Sequence, residues 1–233
     1  MILSWDIGMY NLSYCLLCKH DCSSNNIKIS SNNIDTSSNI VARIINGIDN
    51  SLNNIYKFED YCIKDWGIIN IADKFNLKKN KMGVYSNIHD ILDEYPHFLE
   101  CEHVIIENQL GLRNGTMKSI QMILYTYFLI KGLKNNYSNI HNIEFRHASN
   151  KLKVYDGPEF TLKIKSKSTQ RKRSAVIHSK YFLKNNNILL SFFNSTKKND
   201  DLADAFLQGL YHIKYIINGY KPTKKKRIIK PKI

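Results

Sequence analysis

The sequence predicts an α/β domain, and three observations predict it. Two short apolar runs at the N-terminus, 2–8 and 12–18, are joined by Gly8-Met9-Tyr10-Asn11, which suits a hairpin. Val104-Ile105-Ile106 reads as a fully buried strand, because three consecutive branched aliphatics leave no polar face. Two later stretches, 116–133 and 199–217, repeat apolar residues at helical period. A chain of 233 residues can bury a proper core. One domain over 1–218, with a Ser/Asn-rich insertion near 23–38 and a basic tail over 219–233, is the expected organisation.

In order, the first two runs are antiparallel strands, and Asp6 falls inside the first. Residues 23–38 read as a surface loop or disordered insertion. Residues 39–48 and 55–71 hold further strand-like runs, the clearest being Trp66-Gly67-Ile68-Ile69-Asn70-Ile71. A polar, lysine-rich segment over 73–83 follows, and Ile88, Ile91, Leu92 and Tyr95 then mark a helix that stops at Pro96. The buried strand ends in Glu107, and a glycine-containing loop leads into helix 116–133. Its face around Ile120, Ile123, Leu124 and Tyr127 is either core or a dimer surface. Ile143-Glu144-Phe145-Arg146-His147 is a further strand, with His147 either a general base or a structural histidine. A helix opening at Arg171-Lys172-Arg173 carries Ala175, Val176, Tyr181 and Phe182. The last helix carries Leu202, Phe206, Leu210, Ile213 and Ile217 as its apolar stripe.

The formal net charge is +14, so a polyanionic partner is expected. Basic residues crowd 151–173 and the tail after Gly219. The N-terminus lacks a signal peptide's pattern, and no apolar run reaches the roughly 18 residues of a membrane span. The reading is therefore a soluble, intracellular protein with no membrane partner. Five scattered cysteines argue against a disulfide framework. Cys15, Cys18 and Cys22 begin like a zinc site, but no second Cys/His pair follows, and Cys15 and Cys18 project to opposite faces of a strand.

Against this basic background the acids in apolar settings stand out. Asp6 in a buried strand would cost several kcal/mol without a metal, a cation or backbone donors to compensate it. Glu107 closes a central strand, where open α/β sheets place ligands. Asp201 and Asp204 are three residues apart and share one helix face. Helix capping accounts for Asn199 or Asp200, and less well for Asp204, which lies deeper. Several carboxylates converging on one point are what two-metal phosphodiester hydrolysis requires. Such sites hold ions about 3.5–4 Å apart to clamp the attacking and leaving oxygens.

Three segments carry a family resemblance: Asp6-Ile7-Gly8-Met9-Tyr10-Asn11-Leu12-Ser13-Tyr14, Ile105-Ile106-Glu107-Asn108-Gln109 and Asp200-Asp201-Leu202-Ala203-Asp204-Ala205. They resemble the signature segments of RuvC-type Holliday junction resolvases, in the branch shared by poxviruses, related large DNA viruses and mitochondria. The resemblance implies a ribonuclease H-like fold, a mixed five-stranded sheet with helices on both faces. It also implies a homodimer that cuts opposed strands of a four-way DNA junction with Mg2+, or Mn2+ in its place. Asp6, Glu107, Asp201 and Asp204 match the family's metal-binding acids, with Asp200 the alternative to Asp201. Lys172 matches its catalytic lysine, with Lys167 the alternative, and Lys151 or Lys153 matches a basic position after the last strand. Lys151, Lys153, Lys165, Lys167, Arg171 and Arg173 are the expected DNA-facing cations. The expected location is a viral replication site in host cytoplasm, with the mitochondrion as the alternative. Another ribonuclease H-like nuclease, cutting hybrids or flaps, and a non-catalytic DNA-binding protein are the competing functions. The segment between Asp6 and Glu107 is longer than the family's.

Overall fold

Strand β1 (Ile2–Ile7) and strand β2 (Asn11–Lys19) form the expected antiparallel hairpin, in register from Ile2↔Leu17 to Ile7↔Leu12. Its turn closes through Gly8 N–H donating to the Asn11 carbonyl at 2.9 Å. A Cβ at Gly8 would stand 2.9 Å from that same oxygen, so a side chain there would force the turn open. The computed structural model describes residues 1–19, 28–31, 61–71, 81–112 and 114–221. The runs at 39–48 and 55–60, most of the 23–38 insertion, residues 73–80, Cys22 and the tail beyond residue 221 lie outside the described residues.

Four further strands complete the sheet: β3 (Lys28–Ser31), β4 (Tyr61–Asn70), β5 (His103–Glu107) and β6 (Asn142–Arg146), in the order β3-β4-β2-β1-β5-β6. β4 runs antiparallel to β2, while β5 lies parallel to β1 and β6 parallel to β5. The expected five-stranded mixed sheet is therefore present, and a sixth strand extends it. Residues 28–31, expected as loop, pair parallel with β4 at the sheet edge. Repeated polar residues conceal a short edge strand, whose pairing is made by backbone groups rather than by side-chain pattern.

Strand alternation divides the core in two. Leu3, Trp5, Ile7, Leu12, Tyr14, Leu16, Val104 and Ile106 face one way. They meet α1 (Lys81–Asp93), the 3-10 helix Pro96–Glu100 and α2 (Gly115–Tyr127). Ile120, Leu124 and Tyr127 belong to this core and are fully buried, and Ile123 is partly buried against it. On the other face, Ile2, Cys15, Leu17, Trp66 and Ile105 meet α3 (Lys167–Leu183), α4 (Asn187–Ser195) and α5 (Asn199–His212). Helix α3 opens four residues earlier than its arginines suggest, because Ser166 caps it by accepting from Thr169 N–H. Helix α4 had no expectation. It holds Phe193 stacked on Trp66, with ring centroids 5.5 Å apart.

Helix α5 lies against the middle of the sheet. A Cβ at Gly209 would come within 2.6 Å of Leu17 Cδ1 and 3.3 Å of Ser4 Cβ, so a side chain there would require Leu17 to shift. Leu202, Phe206, Leu210 and Ile213 are buried as the stripe requires, whereas Ile217 is exposed. The helix there has passed into a final π-helical segment, Ile213–Ile217, near the end of the packed region. Among the described residues, no helix is long and apolar enough to cross a membrane.

Candidate active site

Asp6 and Glu107 occupy the same face of two adjacent parallel strands. The register places Ser4 opposite Ile105 and Trp5 opposite Ile106. With period-two alternation, the even residues of β1 and the odd residues of β5 then face α5. Helix α5 contributes Asp201 and Asp204 from its first turns. A fourth element completes the cluster: after β6 the chain forms the 3-10 helix Ala148–Val154, which carries Lys151. His147 caps this short helix by accepting from Ser149 N–H at 3.2 Å, so its ring serves the turn that presents Lys151.

Lys151 is only 8% exposed. Its ammonium lies 3.1 Å from Asp6 Oδ1, 3.3 Å from Glu107 Oε2 and 2.6 Å from Asp204 Oδ2. Three carboxylates from three elements thus share one cation, and the excess negative charge governs their protonation. Burial and then repulsion from Asp6 push the Glu107 carboxyl up to about 10. Burial raises Asp204 to about 7 despite Lys151, and Asp6 and Asp201 add to the rise. Asp201 is raised to about 6 by burial, Asp6 and Asp200. Asp6 alone is lowered: burial works against it, but Lys151 and a hydrogen bond from Glu107 outweigh burial. In the isolated cluster Glu107 is therefore the proton holder and Asp6 the anion.

Asp200 turns away from this cluster and pairs with Lys172 of α3 at 2.5 Å. Of the two adjacent aspartates, Asp201 is the one whose charge couples to Asp6 and Asp204. Lys172 stands at the rim, near enough to feel Asp200, Asp201 and Asp204, and its ammonium is raised chiefly by the Asp200 bond. Lys167 begins α3 and is exposed. Lys153, Lys165, Arg171 and Arg173 are exposed as well. Lys151, expected in the DNA-facing set, is buried among the acids.

Two amides hold the arrangement, and sequence reasoning missed their roles. Gln208, one turn beyond Asp204, is 2% exposed. Its Nε2 donates to the Trp5 carbonyl at 3.0 Å, to Ser4 Oγ at 3.2 Å and to the Ile105 carbonyl at 3.5 Å. One side chain thus ties α5 to both acid-bearing strands. Gln121 of α2 accepts from Gln109 N–H at 2.8 Å and from Lys118 at 3.2 Å, bracing the turn after Glu107. The available signal was a lone amide at i+4 from Asp204 on an otherwise apolar helix face.

The donor set suits a hard divalent cation. All four acids offer carboxylate oxygens, and their charge exceeds what Lys151 neutralises. Among the described residues, no group of three or more His, Cys, Asp or Glu side chains is arranged so as to hold a metal ion. The cation that Asp6, Glu107 and Asp204 surround is the Lys151 ammonium.

The mixed sheet with helices on both faces is a ribonuclease H-like α/β fold, and its acids gather at one end of two adjacent parallel strands. The particular likeness is to RuvC. The Thermus thermophilus RuvC structure superposes with a TM-score of 0.52 at 10% identity, covering 94% of this chain and 96% of that one. T. thermophilus RuvC in complex with its Holliday junction substrate gives 0.51 at 10% identity over the same shares. In sequence, 153 residues are 36% identical to uncharacterized protein L451 of Acanthamoeba polyphaga mimivirus, covering 60% of this chain and 35% of that protein. The chain thus matches about a third of the length of this relative. No family model matches the chain.

Proposed function

We propose that this chain is a metal-dependent endonuclease that resolves four-way DNA junctions, acting as a homodimer that makes paired symmetric nicks. The observation that carries the proposal is the meeting of Asp6, Glu107 and Asp204, from three separate elements, around one buried cation. Asp6, Glu107, Asp201 and Asp204 would hold divalent magnesium, with manganese as a substitute. Bound there, the metal supplies an activated water and stabilises charge on the scissile phosphate. The residues' own contributions follow from their placement. Asp6 is the anionic anchor on its strand, and Glu107 would hold such a cation as the carboxylate. Lys172, at the exposed rim, adds positive charge where a phosphate would approach. Lys165, Lys167, Arg171 and Arg173, in and just before the start of α3, would hold the flanking backbone, positioning it without reading bases.

A two-fold dimer places one such site on each of two opposed strands, as a junction of approximate two-fold symmetry requires. The RuvC complex supports the junction as substrate, and the mimivirus relative supports a viral replication site as the setting. Competition among a four-way junction, a flap, an RNA–DNA hybrid and a linear duplex tests the substrate. The junction is expected to be cut first, by a dimer. Preferred cutting of the hybrid, or full activity from a monomer, would replace this reading with a general ribonuclease H-like nuclease.

A further inference from the structure

At the end of the sheet away from the acids, two cysteines face each other across β2 and β4. Cys18 and Cys62 are directly opposed in the antiparallel register, and their Sγ atoms are 3.1 Å apart. A β-bulge creates this pairing. Leu16 pairs with Asp65 but Leu17 pairs with Ile63, so Lys64 is an extra residue on β4. Without it, Cys18 would face Ile63 and Cys62 would lie on the other face of the sheet. Opposed antiparallel Cα atoms are about 4.5–5.5 Å apart. This lies within the roughly 4.4–6.8 Å that a disulfide spans, so closure needs side-chain rotation rather than backbone movement.

We propose that Cys18 and Cys62 form a redox-active dithiol that closes to a disulfide and fastens together the two strand ends from which segment 20–60 departs. The two positions differ in access: Cys18 is 1% exposed, whereas Cys62 is half-buried. Cys62 is therefore the entry point for a low-molecular-weight disulfide such as oxidised glutathione. Its thiolate attacks one sulfur of that reagent, forming a mixed disulfide and releasing one glutathione thiolate. Cys18 then attacks the Cys62 sulfur and expels the second glutathione. The protein loses two thiol hydrogens as protons, and one glutathione disulfide is reduced to two thiols. The other described cysteines have no such route. Cys15 and Cys101 are fully buried, and burial pushes the Cys15 thiol well above its usual range and that of Cys101 up to about 12. The new bond would join residues 44 apart in sequence and stabilise the fold chiefly by restricting the unfolded chain.

This inference is independent of the nuclease reading. The full chain is treated with oxidised glutathione, and separately with diamide, then alkylated with a maleimide and mapped by mass spectrometry. The expected result is simultaneous loss of two alkylatable thiols, a peptide pair linked through Cys18 and Cys62, and a higher Tm that dithiothreitol reverses. Cys18→Ser should leave Cys62 as a reducible glutathione adduct with no internal link, and Cys62→Ser should leave Cys18 a thiol. Retention of both thiols after both reagents would overturn the proposal. So would a map that joins Cys62 to a different cysteine, such as Cys22.

Discussion

Two buried aspartates lie on opposite faces of one sheet, and they differ in how their charge is met. Asp65, in β4, is 2% exposed and faces the 3-10 helix Pro96–Glu100. It accepts from the Tyr14 hydroxyl at 3.1 Å and lies 2.8 Å from His97 Nε2. Asp6, in β1, shares a single ammonium with Glu107 and Asp204. The first acid has donors of its own and fixes local packing. The second belongs to a group with more carboxylates than cations, and Glu107 answers by retaining a proton. A buried acid alone therefore says little about chemistry. Uncompensated convergence is the stronger sign, since a structural ion pair gains nothing from crowding like charges.

Substitutions can break this contrast in both directions. The largest effect is expected from Asp204→Asn, which removes a converging charge while keeping shape. Junction cleavage should fall by at least about 100-fold, with binding retained and Tm little changed, as gel-shift, cleavage and thermal melts on one preparation would show. Next comes Asp65→Ala, which removes the carboxylate that the Tyr14 hydroxyl and His97 meet. It should lower stability by about 2 kcal/mol in urea unfolding and leave the cleavage rate of the folded protein near that of the wild type. Gln208→Leu sharpens the comparison, because it keeps the volume and all four acids but releases α5 from Trp5, Ser4 and Ile105. A cleavage loss of roughly 10-fold is expected, recovered in part at higher magnesium, as a positional fault of about 1.4 kcal/mol would give.

A pH slope is also expected. Asp201 and Asp204 have folded values of about 6 and 7, above the ordinary aspartate value of 3.8. The folded state therefore binds more protons than the unfolded chain across that interval. Their contribution to stability is fully present below about pH 4 and is lost as pH rises through 6 to 7. Tm of the metal-free protein, followed from pH 4 to 8, should carry this downward contribution. Magnesium should flatten it by compensating the ionised carboxylates, and Asp204→Asn should reduce it.

Much of this was legible from residue pattern. The hairpin and the buried strand ending in Glu107 follow from continuous apolar runs bounded by turn residues, and the acid face of α5 follows from the helical period that backbone geometry imposes. The meeting of Asp6, Glu107 and Asp204 follows once β5 is taken to lie beside β1. Asp65 shows the limit of such reasoning. In sequence it is another acid in a strand-like run, and only its contacts with Tyr14 and His97 separate it from Asp6. Lys151 shows another. It sits in a lysine-rich stretch, and nothing local distinguishes the one that the His147-capped turn directs inward from Lys153, which stays exposed. Helix α4 and strand β3 were missed for a related reason: one is short with its apolar residues bunched at 188–190 and 192–193, the other short and polar, so neither shows a clear period.

The account rests on the acid cluster being a metal-dependent nuclease centre. Its most direct test is cleavage of a synthetic four-way junction by the full chain, with magnesium and with a chelator, Asp204→Asn run alongside. The expected result is paired nicks at opposed positions with magnesium, none with chelator and none from the variant. Equal cleavage with chelator, or near-normal cleavage by the variant in magnesium, would contradict it.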